Sequence, residues 1–213
     1  YTLRTLMSEL EKEHGLKFAY DSEIVGGQVA YLFNTYVEDI LVAVNFHFEE
    51  NHDPQQMAES FQGTLRRLSL PGNPMEITGT LLNGKPFDQS TLAGKVVLVD
   101  FWATWCGPCI AEIPNVLEAY EKYSSQGFEV VGVSLDQDRD ALEKFVNDRN
   151  IPWPILFETS EGSDWQHPLA TYYGISGIPT VILIGKDGNV VSLNARGERL
   201  GELLDELFKN SSS

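Results

Sequence analysis

The chain has 213 residues, a size that fits one large domain or one domain with a smaller appendage. Its 42% of hydrophobic and 22% of charged residues are ordinary for a globular protein, which excludes wholesale disorder, a collagen-like chain and a disulfide-dense miniprotein. With 15 Lys and Arg against 31 Asp and Glu, the formal net charge is −16, so we predict no binding to nucleic acid, whose phosphates such a surface repels. No apolar run approaches the roughly 18 residues of a membrane span. The sequence begins with Tyr1, which leaves a preceding signal peptide or lipid anchor open.

Residues 1–74 are predicted to form a small, mostly helical region. Asp53 and Pro54 suit the cap and first turn of a helix, and the segment 71–74, rich in Pro and Gly, predicts a linker. No motif in this region points to a chemistry. Apolar residues recur at helical spacing in three stretches, within residues 3–10, 37–48 and 57–68.

From Met75 onward, short apolar strands alternate with helices, which predicts a separate α/β domain over residues 75–213. Asn83-Gly84 predicts a tight hairpin turn near the start of this domain. The nearly continuous apolar run 95–102 predicts a central strand covered on both faces. Further strands are predicted at 128–135, 154–157, 180–184 and 190–193, and helices at 106–123, 138–150, 167–173 and 199–208.

The only two cysteines, Cys106 and Cys109, follow the predicted central strand and open a helix. A cysteine at a helix N-terminus faces unpaired N–H groups and the positive end of the helix dipole, which favour the thiolate that thiol–disulfide exchange needs. Gly107-Pro108 allows the helix to start tightly and keeps the two sulfurs within disulfide reach. We therefore predict Cys106 as the exposed attacking thiol and Cys109, one turn into the helix, as the buried resolving thiol.

A zinc half-site is the alternative interpretation of the two cysteines. Tetrahedral zinc needs four ligands, no second cysteine pair exists, and the four histidines are scattered along the chain. We predict no metal and no cofactor other than a redox-active Cys106–Cys109 disulfide.

The segment 99–109 (VDFWATWCGPC) resembles the active-site segment of thioredoxins, and Gly177-Ile178-Pro179-Thr180 is similar to the loop that carries a cis-proline in that superfamily. The Cys-x-x-Glu-x-Pro pattern at 109–114 resembles the TlpA/ResA branch, as do the predicted hairpin and the extra helix and strand at about 138–157. Over about 75–209, the resemblance implies a thioredoxin-like fold with an N-terminal hairpin and a central helix–strand insert. It also implies an extracytoplasmic enzyme, periplasmic or membrane-tethered, although a cytoplasmic location stays open.

The resemblance further implies a substrate-binding surface beside the disulfide. A cis bond before Pro179 would place the backbone of Ile178 where it can pair with an extended substrate segment. Trp105 is expected at the surface, next to Gly107 and Pro108, whereas Trp102 is expected in the core.

Two carboxylates, Asp100 and Glu112, are candidates for proton transfer to and from Cys109. The TlpA/ResA branch commonly has Asn at the position of Asp100, whereas thioredoxin has an acid there, so the role cannot be copied from either relative. A carboxylate in an apolar strand is costly unless it has a partner or a function, and Glu112 falls on the helix face of Cys109. We rank Asp100 ahead of Glu112 and interpret the acidic run 136–140 as a solvated helix start.

The favoured function is a reductase of protein disulfides, in which Cys106 attacks and Cys109 resolves the mixed disulfide. Its expected partners are disulfide-containing or dithiol proteins and an upstream thiol electron donor, which a membrane-embedded protein could supply. The sequence does not indicate an oligomeric state. The alternative is a binding or scaffold protein in which the helical region 1–74 acts and the thioredoxin-like fold is auxiliary.

Overall fold

The computed structural model describes residues 54–158 and 167–209, so the helical stretches predicted within 3–10 and 37–48 lie outside the described residues. Internal contacts divide the chain into two units, Tyr1–Glu59 and Ser60–Ser213, and the features below belong to the second, except for residues 54–59 at the start of the first helix. The predicted domain boundary between residues 74 and 75 stays a prediction. No helix in the described ranges is long and apolar enough to cross a membrane.

A five-stranded mixed sheet forms the centre of the second unit, in the order β3-β2-β1-β4-β5. Strand β1 pairs in parallel with β2, which pairs in parallel with β3. On its other side β1 pairs antiparallel with β4, which pairs antiparallel with β5. The mixed α/β architecture predicted from the sequence is confirmed. The strands are β1 (Val96–Trp102), β2 (Phe128–Ser134), β3 (Ile155–Phe157), β4 (Thr180–Ile184) and β5 (Val190–Ser192).

Strand β1 lies in the middle of the sheet, as its apolar sequence predicts. Apart from Asp100, all of its residues are buried, and the side chains of Leu98 and Phe101 are among the largest that are completely enclosed. Because successive side chains of a strand point to opposite faces of the sheet, this pattern shows that neither face of β1 is solvated. The position of Asp100 in it is therefore exceptional.

Five helices are described around the sheet. Helix α2 runs past Pro114 as one continuous helix, and Asp138 caps α3 by accepting a hydrogen bond from the Ala141 N–H at 3.0 Å. The helices predicted within residues 54–158 and 167–209 are thus present, with ends that shift by one or two residues. They are α1 (Pro54–Leu68), α2 (Gly107–Tyr123), α3 (Arg139–Asp148), α4 (Pro168–Tyr172) and α5 (Glu198–Lys209).

The predicted hairpin around Asn83-Gly84 is a tight turn closed by a single bridge between Thr80 and Pro86. Gly84 adopts the positive φ of 80° that such a turn requires. Leu81 forms an antiparallel bridge with Leu156 of β3, so the turn extends the sheet at its β3 edge.

The prediction of a linker at 71–74 is wrong, because this segment is hydrogen-bonded to the opposite edge of the sheet. The Gly72 N–H donates to the Val190 carbonyl at 2.9 Å, and the Val190 N–H donates to the Asn73 carbonyl at 2.9 Å. The chain therefore passes from α1 into the sheet without a free connection.

Candidate active site

Three segments meet along the edge of the sheet that is formed by strand ends, where β1 and β2 end and β4 begins. The register pairs Phe101 with Thr180 and Trp102 with Ser134. The residues that follow β1 and β2 therefore lie beside those that precede β4. This edge carries the cysteine pair and the loop that ends at Pro179.

Cys106 and Cys109 form a disulfide, with their Cα atoms 5.2 Å apart. Cys106 is the N-cap of α2, and its Sγ accepts a hydrogen bond from the Cys109 N–H at 3.2 Å. The sulfur thus occupies the place of a capping oxygen, where unpaired helix amides favour negative charge.

The predicted contrast between an exposed Cys106 and a buried Cys109 is wrong for this oxidised state. The exposed fractions are 6% and 3%, because both cysteines pack into the hydrophobic core. What distinguishes them is their position on the helix, since Cys106 caps α2 and Cys109 lies inside its first turn.

The residues around the disulfide present a largely uncharged surface. Trp105 is 51% exposed, and Gly107 and Pro108 are exposed beside it. The Ile178–Pro179 peptide bond is cis, as expected, and Ile178 is half-buried. Their roles in substrate binding stay predictions.

Trp102 belongs to the core, as predicted. It is buried, and its ring lies 5.6 Å from the ring of Phe145 in α3. This contact fixes the end of β1, from which the chain continues to Cys106.

Asp100 is a partly exposed residue whose Oδ1 is fully enclosed and has no hydrogen-bond partner among the described residues. Burial, and after it the charge of Glu112, raise the pKa of Asp100 to about 7, although the Arg196 guanidinium acts in the opposite direction. A carboxyl with this pKa exchanges protons near neutral pH. Asp100 therefore has the proton affinity that an acid–base group needs here.

Glu112 differs from Asp100 in that its carboxylate is already occupied. Its Oε1 accepts hydrogen bonds from the Gly197 N–H at 2.7 Å and from Asn115 Nδ2 at 2.6 Å. The bond from Gly197 connects α2 to the loop before α5, whereas the bond from Asn115 lies within the helix. Glu112 thus has a structural function whether or not it transfers protons.

Arg196, which the sequence analysis missed, lies at the same edge. Its NH1 donates to the Pro179 carbonyl at 3.4 Å, and its Nε donates to Asn194 Oδ1 at 3.1 Å. The loop before α5 reaches this place because the Ala195 N–H donates to the Val181 carbonyl at 3.1 Å. No sequence motif marks this residue, because its position depends on the pairing of β4 with the chain beyond β5.

The interpretation of 136–140 as a solvated helix start holds for Asp138 but is wrong for Asp136. Asp136 is 6% exposed and accepts hydrogen bonds from the N–H and the hydroxyl of Thr104 and from the hydroxyl of Ser134. Thr104 lies two residues before Cys106. Asp136 thus fixes the approach of the chain to α2.

Metal-ligating side chains do not converge in groups of three or more within 54–158 and 167–209. The expectation of no metal and no further cofactor stays a prediction.

A family model described as Redoxin matches residues 70–205. The chain belongs to the Redoxin family. It is also 35% identical over 130 residues to the thiol-disulfide oxidoreductase ResA of Bacillus thuringiensis strain Al Hakam, covering 61% of this chain and 71% of the relative. It is 33% identical over 111 residues to ResA of Bacillus subtilis strain 168, covering 52% of this chain and 59% of that relative. The resemblance to the TlpA/ResA branch is confirmed, and this redoxin is an oxidoreductase.

Solved structures agree with this assignment. The thioredoxin domain of a thiol-disulfide oxidoreductase from Bacteroides vulgatus superposes with a TM-score of 0.57 at 29% identity, covering 65% of this chain and 97% of that domain. A secreted thiol-disulfide isomerase from Corynebacterium glutamicum has a TM-score of 0.56 at 23% identity, covering 66% and 86%. The thioredoxin-like fold is therefore confirmed.

The environment of Asp100 predicts a pH-dependent stability. Because its folded pKa lies above the unfolded value, the folded redoxin holds this proton more tightly, and stability falls as pH rises from about 4 to about 7. Asp100→Asn cannot ionise, so its stability relative to the wild type should increase by roughly 2–4 kcal/mol between pH 4 and pH 8. Urea unfolding at several pH values measures this difference. A difference that stays constant with pH would show that Asp100 does not titrate with a raised pKa.

The hydrogen bonds of Asp136 predict a larger loss of stability than those of its neighbour Asp138. Asp136→Ala leaves the partly buried donors of Thr104 and the buried hydroxyl of Ser134 without an acceptor, which should cost about 3 kcal/mol. Asp138→Ala removes an exposed helix cap and should cost about 1 kcal/mol. Urea unfolding of both variants at pH 7 makes the comparison. Equal losses would contradict the assigned role of Asp136.

Proposed function

We propose that this redoxin reduces disulfide bonds in proteins and cycles between a Cys106–Cys109 dithiol and the disulfide. The observation that carries the proposal is the sulfur of Cys106 at the N-cap of α2, bonded to Cys109 and accepting its amide N–H. Amide groups in this position stabilise a thiolate, which is the nucleophile in thiol–disulfide exchange.

The reaction begins with the reduced enzyme. The Cys106 thiolate attacks one sulfur of the substrate disulfide, forms a mixed disulfide and releases the other substrate sulfur as a thiolate, which takes up a proton. Cys109 then loses its proton and attacks Cys106 Sγ. The Cys106–Cys109 bond forms, the mixed disulfide breaks, and the second substrate sulfur leaves. An upstream thiol donor restores the dithiol by the same exchange in reverse.

Asp100 is proposed to accept the proton of Cys109. Its enclosed Oδ1 has no partner among the described residues, and its pKa of about 7 lets it take a proton and return it within one cycle. Glu112 is the second candidate, but the N–H of Gly197 and the amide of Asn115 occupy its Oε1. The free oxygen of Asp100 supports its higher rank.

The substrate is proposed to bind as an extended segment across the uncharged surface beside the disulfide. The pairing of Thr180 with Phe101 supports this, because Ile178 and Pro179 directly precede β4 and the chain beyond β1 leads to Cys106. The backbone of Ile178 would then pair with a substrate strand. The exposed Trp105, Gly107 and Pro108 would contact side chains near the substrate disulfide. Such a surface fits protein substrates better than small charged disulfides.

An extracytoplasmic location is also proposed. It rests on the similarity to ResA proteins and on the solved relative described as secreted. The electron donor would then be a thiol protein that carries reducing equivalents to this compartment.

The function is tested by the reduction of insulin in the presence of dithiothreitol, followed as turbidity. The redoxin should accelerate the reaction, and Cys106→Ser should not. A wild-type rate equal to that of dithiothreitol alone would favour a binding or scaffold role. The midpoint potential of the Cys106–Cys109 pair tests the direction, since a strongly reducing value is expected for a reductase.

The two cysteines are expected to differ in trapping experiments. Cys109→Ser should accumulate a mixed disulfide with a protein substrate, because Cys106 can attack but nothing resolves the product. Cys106→Ser should form none, because Cys109 lies inside the helix. Non-reducing electrophoresis and mass spectrometry identify the adducts. Comparable trapping by the two variants would reverse or remove the assigned roles.

The two carboxylates are expected to differ in the pH dependence of mixed-disulfide resolution. The wild-type rate should rise as pH passes about 7, where Asp100 becomes ionised and can accept a proton. In Asp100→Asn the rise of the rate near pH 7 should disappear, and resolution of the mixed disulfide should be about 100-fold slower. In Glu112→Gln the rise near pH 7 should remain, and the rate should change less. Stopped-flow fluorescence after each reduced variant is mixed with a substrate disulfide follows the formation and decay of the mixed disulfide and measures the rates. A wild-type profile for Asp100→Asn with an altered one for Glu112→Gln would identify Glu112 as the proton carrier.

A further inference from the structure

The second half of α1 lies before the region matched by the Redoxin family model and packs against the end of α4. The contact is made by two glycines. A Cβ atom added to Gly63 would lie 2.6 Å from the Gly174 nitrogen, and one added to Gly174 would lie 2.3 Å from the Thr64 nitrogen. The two backbones thus touch with no side chain between them.

Two arginines of α1 add hydrogen bonds to this contact. Arg66 donates to the Tyr172 carbonyl, and its guanidinium stacks 3.7 Å from the centre of the Tyr172 ring. Arg67 NH1 donates to the Gly174 carbonyl at 2.6 Å.

These carbonyls belong to the end of a short helix, where backbone acceptors lack intrahelical donors and negative partial charge accumulates. Gly174, with a φ of 56°, ends the helical turn, and its N–H donates to the Thr171 carbonyl. The cationic side chains of α1 therefore complete the termination of α4. Without them, the carbonyls of Tyr172 and Gly174 would depend on water.

The segment that follows Gly174 is the loop proposed to bind substrate. Only Ile175, Ser176 and Gly177 separate it from Ile178. The far end of the loop is held by Arg196, which donates to the Pro179 carbonyl. The loop is thus fixed by arginines at both ends, from elements distant in sequence.

We propose that the second half of α1 positions the substrate-binding loop 175–179, with Gly63 seating the helix against Gly174 and with Arg66 and Arg67 holding the carbonyls at the start of the loop. This inference rests on the proposed function, which identifies 175–179 as the substrate-binding loop. It assigns a role in substrate binding to a helix that precedes the region matched by the family model. Arg66 and Arg67 are positioning residues, since they act through the loop.

The test compares Gly63→Ala with Gly201→Ala, a matched change in helix α5. A Cβ at Gly201 would meet nothing within 4 Å, so this control should fold and react as the wild type does. Gly63→Ala should push α1 away from Gly174, and Arg67→Ala should remove one hydrogen bond without a steric clash. Arg67→Lys keeps a cationic donor and should restore part of the lost binding.

Two substrates separate loop positioning from a general loss of structure. With insulin, Gly63→Ala and Arg67→Ala should raise KM about fivefold, the effect of one lost hydrogen bond, with kcat nearly unchanged. With the small disulfide 5,5′-dithiobis(2-nitrobenzoate), which needs no extended pairing, the rates should match those of the wild type. An unchanged KM for insulin in both variants would overturn the proposal, as would equal losses with the two disulfides.

Hydrogen exchange tests the positioning independently of catalysis. Amides in 175–180 should exchange about fivefold faster in Gly63→Ala and Arg67→Ala, while those of β2 keep their wild-type rates. Unchanged exchange in the loop would refute the positioning role. If the wild type reduces neither disulfide, the proposed function fails, whereas the exchange result still decides whether α1 holds the loop.

Discussion

The site depends on one electrostatic arrangement, the sulfur of Cys106 in the place where α2 presents its unpaired amides. A helix start needs an acceptor, and here the acceptor is the sulfur itself, bound by the Cys109 N–H. The other parts of the site keep this arrangement in place. Strand β1 delivers the chain to the edge of the sheet, and the hydrogen bonds of Asp136 to Thr104 fix the turn between the strand and the helix.

A carboxyl at position 100, in the central strand, lowers the stability of the folded protein. A carboxyl whose Oδ1 is enclosed without a partner favours its protonated form, which is the main reason that the pKa of Asp100 is raised to about 7. An apolar residue at this position in β1 would make a more stable sheet. A carboxyl with a raised pKa in the central strand fits the acid–base role proposed for it.

The features that could be predicted from the sequence are those carried by neighbouring residues. The apolar run of β1 and the start of α2 at the cysteine pair follow from local patterns, whereas the exposure of Trp105 was implied by the family resemblance. The burial of Asp136 could not, since it lies in an acidic run and differs from Asp138 only in facing Thr104 across the sheet edge. The near-equal burial of the two cysteines was also missed, because the position of a residue in a helix does not reveal which neighbouring segments cover it.

The arginines of the site were missed for the same reason, and they explain how a loop with little regular structure is kept in place. Arg67 and Gly174 are 107 positions apart, so their hydrogen bond exists only after α1 and α4 have packed. Carbonyl groups at the end of a helix attract cations. Cationic side chains are the minority here, because the chain has 15 Lys and Arg against 31 Asp and Glu. The loop 175–179 itself contains no charged residue, so the charges that hold it come from outside the segment. A neutral, fixed backbone edge can pair with many extended segments, so the charges that order the loop need not narrow its choice of substrate.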